Sequence, residues 1–357
     1  MATGELSAIS ELKQRWPTPS RPRRVVCIGA GGIVENAHLP AYRALGIPVH
    51  GLFDVDAARA RSLAERFAID RVFPSLAEAT REAAVFDIAV PARHVPGVLS
   101  QLPAQAVVLI QKPMGETLAE ARRIRAICQE RELVAALNFQ LRFSPNMLAL
   151  KGAIELGLLG RVIDLEVRVN TYTPWHLWPF LRALPRHEIL YHSIHYLDLV
   201  RALLGEPRGV YAKVARDPSL PEYADTRSAT ILDYGGELRV LVSVFHNHDY
   251  TGQHAASEVK VEGTDGVAIA TMGVNLAYPG GGADRLEIAR RGGGFQAVEL
   301  RGSWFPTAFE GPMSNLQRFA AGEDPQLVSG VDDAFRTMAL VEACYQSSEH
   351  GGTPIPE

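Results

Sequence analysis

VVCIGAGGIV, Val25 to Val34, is the stretch that decides the fold. Four apolar residues, Val25 to Ile28, run directly into Gly29, Gly31 and Gly32. A short unbroken apolar run is what a parallel strand covered on both faces requires. The glycines then allow a tight turn and let the backbone approach a diphosphate. The following helix N-terminus supplies amide hydrogens and partial positive charge. Gly29, Gly31, Gly32 and Ile33 are therefore candidate cofactor contacts. The third glycine of the G-x-G-x-x-G fingerprint is replaced by Val34. Asp54 ends the next strand, twenty positions after Val34. A carboxylate there accepts hydrogen bonds from the adenosine ribose hydroxyls and repels a 2′-phosphate, so NAD is expected rather than NADP. Glycines that served only a tight turn would not account for strand, loop, helix and acid in this order.

Outward from the loop, strands and helices alternate. Val49 to Phe53, Phe86 to Val90, Val107 to Ile110 and Leu133 to Phe139 read as strands. Asp56 is an N-cap for a helix carrying Ala60, Leu63, Ala64 and Phe67 at helical spacing. Thr117 and Glu120 form a capping box ahead of Leu118, Ala121, Ile124 and Cys128. Alternation of this kind predicts an α/β Rossmann domain with a doubly wound parallel sheet over residues 23–143.

The texture changes after residue 143. A helix from Ser144 to Leu156 leads into Val162 to Val169, which alternates with period two. Further strands are expected at Val210 to Val214, Ser228 to Leu232, Leu238 to His246, Ser257 to Glu262, Val267 to Thr271 and Leu286 to Ala289, and a last helix at Asp332 to Ser347. Gly235-Gly236 and Asp265-Gly266 supply turns. The pattern predicts a second α/β domain, 144–357, built on a large, mostly antiparallel open sheet with one exposed or partner-covered face. Residues 1–22 read as an extension. Leu6, Ile9 and Trp16 suit a short amphipathic helix, which Pro17, Pro19 and Pro22 stop and space from the fold.

The bulk numbers narrow the function. The chain has 357 residues, 47% hydrophobic and 21% charged, with a net charge of -4. That charge is too mild to draw nucleic acid or an anionic membrane, and no apolar run approaches the ~20 residues of a membrane span. Cys27, Cys128 and Cys344 are far apart and odd in number, which fits free thiols and a cytoplasmic location. Arg23-Arg24 faintly resembles a twin-arginine export signal, but the apolar residues after it run into glycines with no cleavage-type site.

Two further stretches carry chemistry. Gln111-Lys112-Pro113 follows the strand Val107 to Ile110, at a carboxyl end of the sheet, where ligands of open α/β folds sit. Lys112 reads as either a ligand-facing lysine or a solvated one on spacing alone. Glu188 to Leu204 reads as one helix ended by Gly205, mostly apolar. On it Glu188, Tyr191, His192 and His195 fall at i, i+3, i+4 and i+7 and are expected to share a face. Such a face is a catalytic surface, a set of satisfied core groups, or a metal site of Glu188, His192 and His195; nothing else completes a metal site, so none is expected. An imidazole with a pKa near ~6.5 suits His195 to accept an alcohol proton. Upstream, Trp175 and Trp178 either stack on the C–H faces of a sugar or cover the core.

The order of glycine loop, acid, Lys112-Pro113, "RFSPN" at Arg142 to Asn146 and "HYLDLVRALLGEP" at His195 to Pro207 resembles the Gfo/Idh/MocA oxidoreductase family over nearly the whole chain. The resemblance implies nicotinamide-dependent chemistry on sugars, polyols or related compounds. It also implies an open sheet used for self-association, hence a homo-oligomer, dimer or tetramer. By the same resemblance Lys112 matches the family's catalytic lysine, with Gln111 in place of the usual Glu, and His195 matches its catalytic histidine. The acid four residues before that histidine is here Tyr191, with His192 beside it. Val90, Pro91 and His94 occupy the nicotinamide-side stretch, and Gln111, Lys112 and Asn138 join the cofactor contacts. The expectation is an NAD-dependent dehydrogenase acting on a secondary alcohol of a sugar, cyclitol or glycoside. Lys112, His195, Tyr191 and His192 would be catalytic, and Lys112, Trp175, Trp178, His192 and His195 would touch substrate. Two alternatives are an NAD-dependent glycosidase or lyase using transient oxidation, and a non-catalytic NAD-binding regulator.

Overall fold

A computed structural model describes Ile9, residues 11–278 and residues 280–356. Among them the chain forms two compact units, one of residues 15–144 and 305–338, the other of the described residues within 11–14, 145–304 and 339–356.

In the first unit, β1 (Val25–Ile28), β2 (Val49–Phe53), β3 (Val85–Ile88), β4 (Val107–Ile110) and β5 (Val134–Leu137) form a sheet in the order β2-β1-β3-β4-β5, every pair parallel. β1, β3 and β4 are buried at every position, as unbroken apolar runs demand. Asp56 caps the helix Ala57–Phe67 through the amide of Arg59. Thr117 caps Leu118–Glu130 through the amide of Glu120, whose carboxylate in turn accepts from the amide of Glu116.

Residues 305–338 belong to this unit and not to the second, contrary to a simple division at residue 143. Met313 and Leu316, on the helix Glu310–Ala320, complete the same core as Val25, Leu52 and Leu109. Residues 15–22 are likewise no free spacer. The Trp16 indole donates to Asp324 at 2.6 Å and packs edge-on against Phe143, and Ser20 Oγ donates to Glu323 at 2.5 Å. Leu6, part of the expected amphipathic helix, lies outside the described residues.

The second unit is built on an eight-stranded sheet. Its strands are β6 (Val162–Asn170), β7 (Gly209–Ala215), β8 (Arg227–Asp233), β9 (Arg239–Phe245), β10 (Ala256–Gly263), β11 (Gly266–Thr271), β12 (Arg285–Arg290) and β13 (Gln296–Ala297). The order is β13-β12-β11-β10-β6-β9-β8-β7, antiparallel except for β6 beside β9. Burial alternates along these strands, so one face is core and the other carries exposed Tyr211 and Ile231. The helix Pro145–Glu155 packs on β11 and β12.

The largest departure from sequence expectation lies in helix geometry. Val34–His38, directly after the glycine loop, is a π-turn. So is Ile189–Ser193, which precedes the α-helix Ile194–Leu204. π-turns insert one residue into the helical repeat and recur at functional sites.

Candidate active site

Each unit presents its own set of candidate residues. In the first, Gly29 has φ +108 and its amide donates to Phe53 O at 2.7 Å. A Cβ at this position would stand 2.3 Å from Ala89 O, so the approach of two strand ends excludes any side chain. At Gly31 a Cβ would meet nothing within 4 Å, and at Gly32 only Asn36 Nδ2 at 3.7 Å. The loop is thus closed on the sheet side and open in front, the shape a diphosphate needs. Asp54, half-buried, shapes the loop directly. Its Oδ2 accepts from the Ala30 amide at 2.7 Å and its Oδ1 from the Asp56 amide at 2.8 Å. Each oxygen retains a lone pair for a ribose hydroxyl. These observations fit NAD, and Gly29, Gly31, Gly32, Ile33 and Asp54 would hold it.

The other predicted contacts of this unit also lie beyond strand ends. Val90 follows β3 and, like Lys112, is half-buried, while exposed Pro91 precedes the short helix Ala92–His94 and exposed His94 ends it. Gln111 and Lys112 follow β4, with a cis peptide before Pro113. Desolvation lowers the Lys112 ammonium to about 8. Asn138 follows β5, its amide donating to Ile110 O at 2.8 Å.

In the second unit the π-turn Ile189–Ser193 falls within the expected polar face. Glu188 is fully buried, and its Oε1 accepts from Ser193 Oγ at 2.6 Å and pairs with His246 Nε2 at 3.3 Å. It thereby reaches the same His246 ring that packs against His192. His192 packs against Trp175, Trp178 and His246, with ring centroids 4.8, 6.3 and 4.7 Å away. Tyr191 lies edge-on to Phe180, and His195 edge-on to Trp304 at 5.7 Å. The rival metal set does not converge: among the described residues no three His, Cys, Asp or Glu side chains gather as ligands.

Trp175 corrects another expectation. It is 4% exposed, ringed by His187, His192, Tyr223 and His246, and its Nε1 donates to Asn247 at 3.2 Å. Its faces are occupied, so it backs His192 rather than offering itself to a sugar. Trp178, half-buried against Tyr278, keeps the more open ring. His187, His246, Tyr223 and Asp225 were not singled out from sequence. His246 ends an apparently ordinary β-strand run, and only the fold brings it to His192.

Burial sets two opposed titrations here. It lowers His187 from 6.5 to about 4, and raises Asp225 from 3.8 to about 6. As pH falls from 6.5 to 4 the unfolded chain protonates His187 first, which destabilises the fold. Over nearly the same window the folded chain protonates Asp225 first, which stabilises it. The two slopes nearly cancel. Asp225→Asn keeps an oxygen for the Glu188 amide that Asp225 Oδ1 accepts from, but removes the compensating slope. The variant is expected to lose on the order of 3 kcal/mol between pH 7 and pH 4 relative to wild type. Urea titrations at the two pH values measure this, and parallel curves for both proteins would refute the compensation.

Comparison with known proteins places these features in a family. Residues 23–139 match the GFO_IDH_MocA family described as "Oxidoreductase family, NAD-binding Rossmann fold", and residues 147–269 match the GFO/IDH/MocA C-terminal domain. The chain belongs to the Gfo/Idh/MocA family of NAD-binding oxidoreductases. This Gfo/Idh/MocA protein is 28% identical over 342 residues to a D-apiose dehydrogenase of Paraburkholderia graminis, covering 91% of this chain and 88% of that protein. It is 32% identical over 205 residues to an inositol 2-dehydrogenase of Acidothermus cellulolyticus, covering 55% and 58%. Its fold matches an oxidoreductase from Agrobacterium radiobacter, solved with NAD+, L-tartaric acid and magnesium, with a TM-score of 0.77 at 20% identity over 93% of this chain and 98% of that one. No described helix of this Gfo/Idh/MocA oxidoreductase is long and apolar enough to cross a membrane.

Proposed function

We propose that the chain is an NAD-dependent dehydrogenase acting on a secondary alcohol of a sugar, cyclitol or glycoside. The observation that carries this reading is the desolvated Lys112, at the carboxyl end of the sheet that also bears the glycine loop and Asp54. NAD, when bound, takes up the hydride of the alcohol carbon. The Lys112 ammonium orients and polarises the hydroxyl. His195 is the leading acceptor of the hydroxyl proton, while Tyr191 supplies a hydrogen-bonding hydroxyl where the family carries an acid. His192, backed by Trp175 and His246, and Trp178 contact the substrate. The names of the two relatives above, one for a sugar and one for a cyclitol, support a polyhydroxylated substrate.

A panel of sugars, cyclitols and glycosides, followed by nicotinamide absorbance with NAD and NADP, tests the reading. Sustained reduction of NAD by one or more of them is the expected result. Product formation without net absorbance change would instead identify transient oxidation. Asp54→Asn retains an oxygen for the Ala30 amide but loses the charge that repels a 2′-phosphate. Its preference for NAD over NADP is expected to fall by about tenfold or more. An unchanged ratio of the two dissociation constants would remove Asp54 from cofactor selection.

A further inference from the structure

Beneath the glycine loop runs a chain of buried polar groups that no step above uses. Asp87 is fully buried on β3, a strand otherwise apolar. A carboxylate there needs donors, and its Oδ2 has three: His38 Nδ1 at 2.7 Å, Tyr42 Oη at 2.8 Å and Cys27 Sγ at 3.8 Å. Burial, and then the Asp87 charge, hold the Tyr42 hydroxyl and the Cys27 thiol well above their ordinary pKa values, so both stay donors. His38, on the first π-turn, is 1% exposed. With Nδ1–H given to Asp87, Nε2 is the ring atom left toward Asn138, whose Nδ2 lies 3.1 Å from it.

This bonding fixes the Asn138 carboxamide. Its nitrogen is turned to His38, so its oxygen faces the other way. Asn138 Oδ1 is buried and has no hydrogen-bond partner, as is true of Gln111 Oε1 and Gln140 Oε1 near the same strand ends. A buried acceptor without a donor is costly, and a tie between loop helix and sheet needs only Asp87, His38 and Tyr42. The orphaned oxygen therefore points to a ligand. Asp54 marks the adenosine side at β2 and the glycine loop marks the diphosphate at β1. Asn138, beyond β5, lies toward the opposite edge of the β2-β1-β3-β4-β5 order, on the side left for the nicotinamide half.

We propose that His38 and Asp87 are positioning residues that keep the Asn138 oxygen turned outward as the acceptor for the primary amide of the nicotinamide ring. The proposal rests on the NAD reading above.

Dissociation constants measured by protein fluorescence on the full chain test it without turnover. The probes are NAD, its 3-acetylpyridine analogue, which replaces the amide by a methyl ketone and so lacks the N–H donors, and ADP-ribose, which lacks the ring. Wild type is expected to bind NAD about tenfold more tightly than the acetylpyridine analogue, because the ketone leaves the buried oxygen unpaired. His38→Leu should bring that ratio to within about twofold with ADP-ribose binding unchanged. His38→Gln, which retains one donor and one acceptor, should recover most of it. Asn138→Ser should lose the ratio as His38→Leu does, and decides the matter if the leucine variant fails to fold. Full discrimination retained in either variant, or none in wild type, overturns the proposal. Failure of wild type to bind NAD and ADP-ribose at all would instead overturn the NAD reading.

Discussion

Lys112→Ala is expected to lower kcat/KM for alcohol oxidation by about 10³-fold while changing NAD affinity little. Desolvation holds the ammonium at about 8, near the pH at which the protein would work. Its charged form polarises a substrate hydroxyl, and its neutral form no longer does. Since desolvation disfavours the charged form, the neutral amine gains population as pH rises through 8. Oxidation by wild type is therefore expected to slow as pH rises through that interval, because the ammonium that polarises the hydroxyl is lost. Lys112→Arg keeps its cation across the whole interval, and although its different shape is expected to make it slower it should lack the fall near 8. Initial rates from pH 6.5 to 9.5 for the three proteins measure both effects. A loss of less than tenfold in the alanine variant would leave Lys112 a bystander.

Gly29→Ala and Gly31→Ala are expected to fail in different ways. At Gly29 a Cβ would lie 2.3 Å from a main-chain oxygen that cannot swing aside, and φ is +108. Strain and overpacking together are expected to destabilise the protein by about 3 kcal/mol or more and to lower Tm by roughly 10 °C. At Gly31 a Cβ meets nothing within 4 Å, so Tm should stay within about 1 °C of wild type. The same Cβ would occupy the open front of the loop and weaken NAD binding by about tenfold or more. Thermal melts with and without NAD separate the two outcomes. A Gly31→Ala protein that binds NAD normally would count against this loop as the diphosphate site.

Much of the first unit could be read from local pattern. Strands buried on both faces must be unbroken apolar runs, and Val25–Ile28 and Val107–Ile110 are such runs. Thr117 and Asp56 announced their helices because cap chemistry is local. Asp87 was also visible in principle: an aspartate inside Val85–Ile88 is a buried charge that must find donors, but its partners lie on other elements. The membership of residues 305–338 could not be read in this way, since Met313 and Leu316 are apolar in either unit.

By itself the sequence determined the order of strands and helices, the glycine loop with its acid, and the lysine at the end of β4, because each follows from hydrophobic period, capping or the needs of backbone at a tight turn. Only the tertiary structure decided that Ile189–Ser193 winds as a π-turn, that Glu188 faces Ser193 and His246, that Trp175 is enclosed, and that His38 joins Asp87 to Asn138. The reason is physical. One residue added to a helical turn, or a hydrogen bond between groups as many as 100 positions apart, depends on neighbours that no local spacing specifies.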